Sequence, residues 1–361
     1  MPMKVGIVGM PNAGKSSLFT ALTGVAAEAA NYPFTTIEPN IAIVPVTDER
    51  LNRVSETVSA SKIVWDTIAF HDIAGLVAGA HKGEGLGNQF LANIRETDAI
   101  VHVVRAHADE GVVHPEGRVD PLHDIETIET ELIFADLEQA ERRLERVVRV
   151  ARSGDRHAVA EEKWLRAVVE ALQSGRPART VPVPDDAADA MSLLSPLTAK
   201  PVLFVANVEE GADEVPPEIA EYAASVDARA VAVSARLEAE LSELSEEDAT
   251  AMRADLGLSE SSLETVVRGA FSLLDLVAFF TAGEDKPAQS WHLRRGLSVW
   301  HAAGQIHSDI QKGFVRAEVV GWEALVDAGG YAGARERGTL RLEGRDYVVA
   351  DGDVITVKFT P

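Results

Sequence analysis

The sequence predicts an α/β fold, with a mostly parallel sheet covered by helices, a helical insertion and a small α+β segment at the end. Apolar runs with the length of strands alternate with helical patterns, and the insertion and the final segment each change this pattern. The predicted strands of the sheet are residues 4–9, 41–46, 67–73, 99–104, 202–207 and 230–234. Such alternation favours parallel pairing through helical crossovers, which places ligands at the carboxyl ends of the strands.

Composition narrows the class of protein before any motif is considered. The chain has 361 residues, of which 46% are hydrophobic, enough for two or three domains. It has no cysteine, which excludes disulfides and thiolate metal sites. The start lacks the apolar stretch of a signal peptide, and Asp275 interrupts the longest apolar run, so we expect a cytoplasmic protein without membrane contact. A net charge of -23 repels nucleic acid on average, so an RNA contact would need a local basic patch.

A phosphate-binding loop follows the first predicted strand. Residues 9–16 read Gly-Met-Pro-Asn-Ala-Gly-Lys-Ser, which matches the pattern G-x-x-x-x-G-K-[ST] in full. Backbone amides of such a loop turn inward around the phosphates, while Lys15 reaches the outer phosphates and takes part in catalysis. A helix beginning at Lys15 directs its positive end at the anion. The residues predicted to contact the nucleotide here are Asn12, Ala13, Gly14, Lys15, Ser16 and Ser17.

Two further segments are predicted to hold Mg²⁺ and to sense the third phosphate. Asp72-Ile-Ala-Gly75 follows the third predicted strand, where a D-x-x-G turn places an aspartate near the metal ion and a glycine N–H near the γ-phosphate, which makes Gly75 a catalytic candidate. In residues 31–40, a threonine hydroxyl can complete the metal shell when the γ-phosphate is present, and we choose Thr36 over Thr35. The predicted metal ligands are Ser16, Thr36 and Asp72.

The predicted base-binding segment departs from the one that reads guanine. GTPases use N-K-x-D, whose aspartate accepts two hydrogen bonds from guanine, but the fifth predicted strand ends in Asn207-Val-Glu-Glu210. Val208 replaces the lysine and Glu210 the aspartate, which removes a charge-assisted contact to guanine of roughly 1.5 to 3 kcal/mol. Asn207 can still pair with the N6/N7 edge of adenine, and Ser234-Ala235 would close over the base. We therefore expect ATP to be preferred over GTP.

The insertion, about residues 125–198, is predicted to form a hairpin of two antiparallel helices. Apolar residues recur at helical spacing on both sides of a break at Ser153-Gly154. On its other face the first helix is predicted to carry a row of arginines, Arg142, Arg146, Arg149, Arg152 and Arg156. This row could follow an RNA phosphate backbone, or it could be a solvated face in which neighbouring glutamates supply paired charges.

The chain changes character from about residue 278 onward, where turns become frequent. Short strands are predicted at residues 317–320, 339–343, 347–349 and 354–359, with a tight turn at 351–353. Residues 278–361 contain ten basic and eleven acidic residues, so nearly all of the negative charge lies upstream. We predict a small mixed sheet in this segment.

Together these motifs resemble those of the YchF/Obg-like ATPases, a branch of the Obg-related translation-factor GTPases. The resemblance runs nearly end to end and is carried by residues 9–16, 31–34, 72–76, 82–88 and 207–210. It implies an ATP-preferring, Mg²⁺-dependent G domain at 1–277 that contains the helical insertion, and a TGS domain at 278–361. It also implies binding to ribosomes, as the 50S subunit or the 70S particle. By analogy, the TGS domain could contact RNA or protein through Lys312, Arg316, Arg341 and Arg345.

The resemblance also assigns residues that the motifs alone leave open. His114 occupies the position of the family's proposed catalytic histidine, and a neutral imidazole could orient water near pH 7. Leu76 stands where small GTPases have glutamine, and leucine cannot hydrogen-bond water. Asn12 could help to hold a monovalent cation, K⁺, near the phosphates, or it could simply shape the loop.

We expect a nucleotide-controlled factor that hydrolyses ATP and works at the ribosome. One alternative is an adaptor whose docking surface is set by ATP and in which hydrolysis is a slow timer. A second alternative is a GTPase, if the site recognises guanine. A metabolic P-loop kinase fits less well, because the threonine segment and the D-x-x-G turn suit conformational signalling better than transfer to a small molecule.

Overall fold

The computed structural model describes residues 3–28, 40–73, 86–107, 118–256, 258 and 261–360. The strands are β1 (Met3–Val8), β2 (Ile41–Pro45), β3 (Lys62–Val64), β4 (Thr67–Asp72), β5 (Ala99–Arg105), β6 (Val202–Asn207), β7 (Arg229–Val233), β8 (Leu276–Thr281), β9 (Pro287–Arg294), β10 (Phe314–Gly321), β11 (Arg341–Glu343) and β12 (Asp353–Phe359). The helices are α1 (Lys15–Glu28), α2 (Glu49–Thr57), α3 (Leu86–Arg95), α4 (Pro121–Ala151), α5 (Arg156–Gln173), α6 (Ala190–Leu194), α7 (Pro217–Ser225), α8 (Ala235–Leu241), α9 (Glu246–Asp255), α10 (Ser262–Ser272), α11 (Val299–Ile306), α12 (Ser308–Lys312), α13 (Trp322–Asp327) and α14 (Tyr331–Glu336).

The first sheet contains the six strands that the sequence predicts there, in the order β2-β4-β1-β5-β6-β7. All neighbours pair in parallel except β2, which runs antiparallel to β4. Its central strand β5 is buried along its whole length, which is typical of a parallel sheet with helices on both faces. The prediction of a mostly parallel sheet is confirmed.

Two apolar layers hold helices against the faces of this sheet. On one face, residues of α1, α8 and α10 pack with β1, β4 and β5 in a cluster that includes Leu18, Leu22 and Val266. On the other face, α3 and α4 contribute Ile94, Ile128 and other apolar side chains to a second cluster. The phosphate-binding segment therefore lies between two rigid layers, which fixes its position relative to the strands.

The insertion forms the predicted helical hairpin. α4 and α5 are joined by a short turn at residues 152–155, in which Gly154 has a φ of +81°, and they share an apolar seam that includes Val147, Trp164 and Val168. Asp120 and Asp155 cap the two helices by accepting hydrogen bonds from backbone N–H groups of the first turns.

The predicted row of arginines is wrong at its far end. α4 stops at Ala151, so Arg152 is its cap and Arg156 begins the next helix. Arg156 forms an ion pair with Asp186 at 2.9 Å. The row on α4 itself therefore consists of Arg142, Arg146 and Arg149. The helical spacing that predicts the row holds as far as Arg149, but the turn at residues 152–155 redirects the chain before Arg156.

The second sheet has the order β11-β10-β12-β8-β9-β3 and draws one strand from the first half of the chain. β3 pairs in parallel with β9, from Lys62 opposite Pro287 to Val64 opposite Gln289. The predicted strand at 347–349 is wrong, because Val348 forms only an isolated bridge with Ser298. Strands β3, β8 and β9 were not among those that the sequence predicts.

Polar and aromatic contacts fasten the first half of the chain to this second sheet. The carboxylate of Asp66 accepts hydrogen bonds from the backbone N–H of His292 at 3.0 Å and from its Nδ1 at 2.7 Å. Arg50 donates to Asp351 at 2.6 Å, and the guanidinium of Arg53 lies 5.1 Å from the centre of the Trp322 ring. The domain boundary at 277/278 stays a prediction. Residues 49–64 precede it in the sequence but pack against the second sheet, most of which follows it.

No helix in the described ranges combines the length and the apolar character needed to cross a lipid bilayer.

Candidate functional site

Four strand ends bring the predicted site residues to one edge of the first sheet. The phosphate loop follows β1, Asp72 ends β4, Asn207 ends β6 and Ser234 follows β7. In neighbouring strands, Ile7 pairs with Asp72 and Asn207 pairs with Val233. Motifs that are far apart in the sequence therefore meet at the edge where a parallel sheet binds its ligands.

The phosphate loop needs glycine at two positions. Gly9 and Gly14 have φ values of +154° and +103°, which side chains rarely tolerate. A Cβ atom at Gly9 would lie 2.4 Å from the carbonyl oxygen of Val103, and one at Gly14 would lie 2.3 Å from Nδ2 of Asn207. Asn12 also has a positive φ, of 63°. The backbone thus closes into a tight cradle of the kind that surrounds the phosphates of a nucleotide.

Lys15, the first residue of α1, is buried beneath this cradle with an exposed fraction of 7%. Its Nζ donates a hydrogen bond to the carbonyl of Met10 at 2.7 Å. Burial lowers the pKa of Lys15 to about 8, although the nearby Asp72 acts in the opposite direction. Burial likewise raises the pKa of Asp72, and Lys15 offsets part of that increase. Because burying this cation is costly, an incoming triphosphate would stabilise its charged form.

The rest of the loop and the first turn of α1 are suited to an anion and its metal ion. Ser16 is exposed and Ser17 is half-buried, while Ala13 is buried and its N–H donates to the carbonyl of Met10 at 3.3 Å. The first N–H groups of a helix have no acceptor within the helix, so those of α1 are available to phosphate oxygens. Ser16 and Asp72 supply oxygens of the type that Mg²⁺ prefers.

Asn207 links the phosphate loop to the segment after β7. Its Nδ2 donates to the carbonyl of Ala13 at 3.0 Å, and its Oδ1 accepts from the N–H of Ala235 at 3.1 Å. The side chain is buried, with an exposed fraction of 7%. The sequence predicts a base contact for Asn207 and does not predict this link between two backbone segments. The second hydrogen on Nδ2 and the second lone pair of Oδ1 are the parts of the amide that remain for a base.

The other predicted base-site residues differ in exposure. Val208 packs in an apolar cluster with Phe204 and Ile219, so its side chain belongs to the core. Glu210 is exposed, and its Oε1 lies 3.5 Å from Nε of Arg236. Ser234 is buried and immediately precedes α8. Arg236, which no sequence motif singled out, therefore flanks Glu210 beside the predicted base site.

Several predicted site residues lie outside the described residues. These are the metal ligand Thr36, the catalytic candidates Gly75 and His114, and the neighbouring Thr35 and Leu76. Their assigned roles stay predictions.

His102 is a polar residue near the site that the sequence analysis missed. It lies on β5, is almost fully buried, and stacks at a tilt against Phe204 with 5.4 Å between ring centres. Burial and the positive charge of Lys15 lower its pKa to about 3, so it is neutral at physiological pH. Its Nε2 has no hydrogen-bond partner among the described residues and borders a cavity of about 20 Å³. A histidine within the otherwise apolar run 99–104 is the signal that could have revealed it.

Comparisons with known proteins agree along the whole chain. Residues 4–142 match the family model MMR_HSR1, described as 50S ribosome-binding GTPase, and residues 276–360 match YchF-GTPase_C, described as a protein of unknown function. The chain is 47% identical over 365 residues to the ribosome-binding ATPase YchF of Bacillus subtilis, covering 99% of this chain and 100% of that protein. The chain belongs to the YchF family. The YchF of Haemophilus influenzae is 46% identical, with 99% of each chain covered.

Solved structures support the same family and fold. The YchF GTPase of Schizosaccharomyces pombe matches with a TM-score of 0.87 and 34% identity, covering 99% of this chain and 97% of that one. A GTP-binding protein from Pyrococcus horikoshii shares the fold at a TM-score of 0.63 and 19% identity, with 99% and 100% covered. The predicted family and the predicted fold class are therefore confirmed.

The pKa of Lys15 predicts how ATP binding depends on pH. The free protein carries this lysine with a pKa of about 8, and phosphate contact would raise that pKa, so binding above pH 8 must take up a proton. We expect the Kd for MgATP to be constant below about pH 7.5 and to rise by up to about tenfold per pH unit above pH 8. Calorimetric titrations in buffers of different ionisation enthalpy measure both the Kd and the proton uptake.

A Lys15→Arg variant is the matched control, because a guanidinium stays charged over this range. Whatever affinity it retains should change little with pH. A wild-type Kd that is flat from about pH 7 to about pH 9 would contradict the assignment of Lys15 as the charged phosphate contact.

Proposed function

We propose that this protein is an ATPase that binds ribosomes and acts as a nucleotide-controlled factor in translation. The observation that carries the proposal is the meeting of Lys15, Asp72 and Asn207 around the glycine-built phosphate loop. Relatives named ribosome-binding ATPase YchF align with nearly the whole chain and support both the activity and the partner. Because ribosomes are its proposed partner, the protein is proposed to act in the cytoplasm.

The phosphates are held by the loop amides and by Lys15. The N–H groups at the start of α1 bind the β- and γ-phosphate oxygens, and the ammonium of Lys15 offsets the charge that develops during cleavage of the β–γ bond. Ser16, Thr36 and Asp72 are the residues that would hold Mg²⁺, with Asp72 acting through water. When bound, this ion neutralises the phosphates and orients them for in-line attack. The Gly75 N–H would contact the γ-phosphate.

Water is positioned by a residue other than the one that small GTPases use. Leu76 cannot hydrogen-bond water, so we assign that role to His114, whose neutral imidazole can accept a proton from the attacking water. The backbone of Asn12 adopts the left-handed conformation, with a φ of 63°. Its side chain would help to hold K⁺ beside the phosphates. Such a cation would take the place of an arginine finger.

ATP is preferred over GTP because the base site lacks the short acid that reads guanine. Glu210 is one methylene longer than that aspartate and lies 3.5 Å from Arg236. Its carboxylate is therefore partly satisfied by a cation. Asn207 holds the phosphate loop and the segment after β7 at a fixed separation. Its remaining amide hydrogen can donate to N7 of adenine.

The C-terminal unit, residues 278–361, is proposed to be a TGS domain that contributes to ribosome binding. Two of its four candidate cations lie against aromatic rings: Arg345 lies 4.2 Å from the centre of the Trp300 ring, and Arg341 lies 5.1 Å from that of Tyr347. Guanidinium groups held in this way lose less conformational entropy when they contact RNA or an acidic protein surface.

Competition between nucleotides tests the base assignment. We expect MgATP to bind about tenfold or more tightly than MgGTP, and Glu210→Asp to narrow this gap because it restores an acid of the length that pairs with guanine. Glu209→Asp is the matched control and should leave the ratio unchanged. Fluorescent-nucleotide displacement measures both constants. Tighter binding of GTP by the wild-type protein would overturn the preference.

Turnover of a His114→Ala variant tests the proposed catalytic histidine. We expect kcat to fall by about 10²-fold or more with the affinity for ATP unchanged, because only the orientation of water is lost. Phosphate release measured with and without ribosomes gives both basal and stimulated rates. Undiminished turnover would remove the assignment, and ribosome binding without any stimulation would favour the adaptor alternative.

A further inference from the structure

A cleft of about 520 Å³ lies in the second sheet where β8 and β12 separate. Among the described residues, these two strands pair at two positions, the second of which joins Phe280 to Val354. β8 ends one residue later at Thr281 and the chain turns into β9, whereas β12 continues to Phe359. The C-terminal half of β12 therefore pairs with β10 on one side and borders the cleft on the other.

The carbonyl of Ile355 and the peptide groups of Val357 face this cleft. Trp322 donates its N–H to the carbonyl of Gly352 at 2.9 Å, so the register places every second residue after Gly352 in a hydrogen-bonded pair with β10. Because hydrogen-bonding directions alternate along a strand, the residues between them point the other way. Beyond Val354, no strand in the described part of the chain pairs with that side of β12. It therefore presents the donors and acceptors of an unpaired strand edge.

Beside this strand edge, part of the cleft is apolar. Trp291 of β9, Ile306 of α11 and Ile310 of α12 line it. The indole of Trp291 is held in place, because its Nε1 donates to the hydroxyl of Thr281 at 2.9 Å and its ring stacks on Phe279 with 6.4 Å between ring centres. A wall that is already held in position can receive an apolar side chain without first being ordered.

The charged groups of the cleft have an excess of cations. Lys286, Arg335 and Glu318 line it. The carboxylate of Glu318 is shared between Lys358 at 3.1 Å and Arg335 at 3.4 Å. Lys286 has no carboxylate within the 4.0 Å limit of an ion pair among the described residues, and the two acidic residues that precede it do not line the cleft. A ligand with a carboxylate would therefore complement this site.

We propose that an extended acidic peptide of a partner protein binds in this cleft as a strand added to β12, with an apolar side chain against Trp291 and a carboxylate at Lys286. Main-chain hydrogen bonds to the strand edge supply affinity, and the wall and the cations supply specificity. A second copy of β12 fits less well, because its C-terminal half carries a lysine and no acid. Neither ATP nor the ribosome is needed for this binding, so it goes beyond the proposed function.

Peptide selection followed by titration tests this proposal. Random octapeptides displayed on phage are selected on the full-length protein, and the most enriched sequence is synthesised with a fluorescent label as the probe. We expect enriched sequences to combine an apolar residue with an acidic one. Two further versions of the probe are N-methylated at alternate amides. Because only every second amide of an added strand faces β12, one version should bind at least about tenfold more weakly and the other should stay within about threefold of the probe.

Two variants of the protein locate the probe. Val357→Pro removes the N–H that faces the cleft and keeps the bonds between β10 and β12, and we expect it to weaken binding at least about tenfold. Its control, Val357→Thr, keeps that N–H and should stay within about threefold of the wild type. Lys286→Gln should weaken binding by about three- to tenfold and reduce its salt dependence, whereas Lys163→Gln, at an exposed lysine outside the cleft, should change neither.

Thermal unfolding checks that each variant is folded, and if Val357→Pro is not, Lys286→Gln and the methylated probes decide. Absence of any enriched peptide would overturn the proposal, and so would equal affinities for cleft variants and controls or for the two methylated probes. Displacement of the probe by a single-stranded RNA would assign the cleft to RNA and overturn the peptide. A dimer of the free protein that the probe dissociates would assign it to a second copy. Failure to bind ATP or ribosomes would leave these results unchanged.

Discussion

The side-chain amide of Asn207 is the interaction on which the nucleotide site depends. It ties the carbonyl of Ala13 in the phosphate loop to the N–H of Ala235 at the start of α8. These two segments follow β1 and β7, which are three places apart in the sheet. The approach of Gly14 to Asn207 is so close that no side chain would fit there. One buried amide therefore sets the distance between the phosphate cradle and the proposed base site.

A second constraint joins this site to the C-terminal unit. Between β2 and β4 the chain leaves the first sheet, packs α2 against the second sheet and adds β3 to its edge. Asp66 then fastens the return by accepting hydrogen bonds from His292, and six residues later β4 ends at Asp72. β4 therefore connects the attachment to the second sheet directly with a predicted metal ligand.

The sequence predicts much of this architecture because its local signals are strong. Each strand of the first sheet is an apolar run, four of the six are followed by a motif, and each helix of the hairpin has a regular helical spacing of apolar residues. The features that the sequence does not predict depend on contacts between residues far apart in the chain. β3 has three residues and exists because β9 pairs with it, and the linking role of Asn207 requires Ala13 and Ala235 to meet in space. The predicted arginine row is wrong at Arg156 because the turn that contains Gly154 redirects the chain.

Calorimetric titration of Asn207→Ala with MgATP, beside the wild type and the exposed-residue control Asn52→Ala, tests the central claim most directly. The account predicts that the wild type and the control bind ATP with similar constants. It also predicts that Asn207→Ala loses about 10²-fold or more in affinity, because the loop and the base segment are no longer held together and a base contact is lost as well. Wild-type affinity in a folded Asn207→Ala protein would contradict it, as would the absence of heat with the wild type.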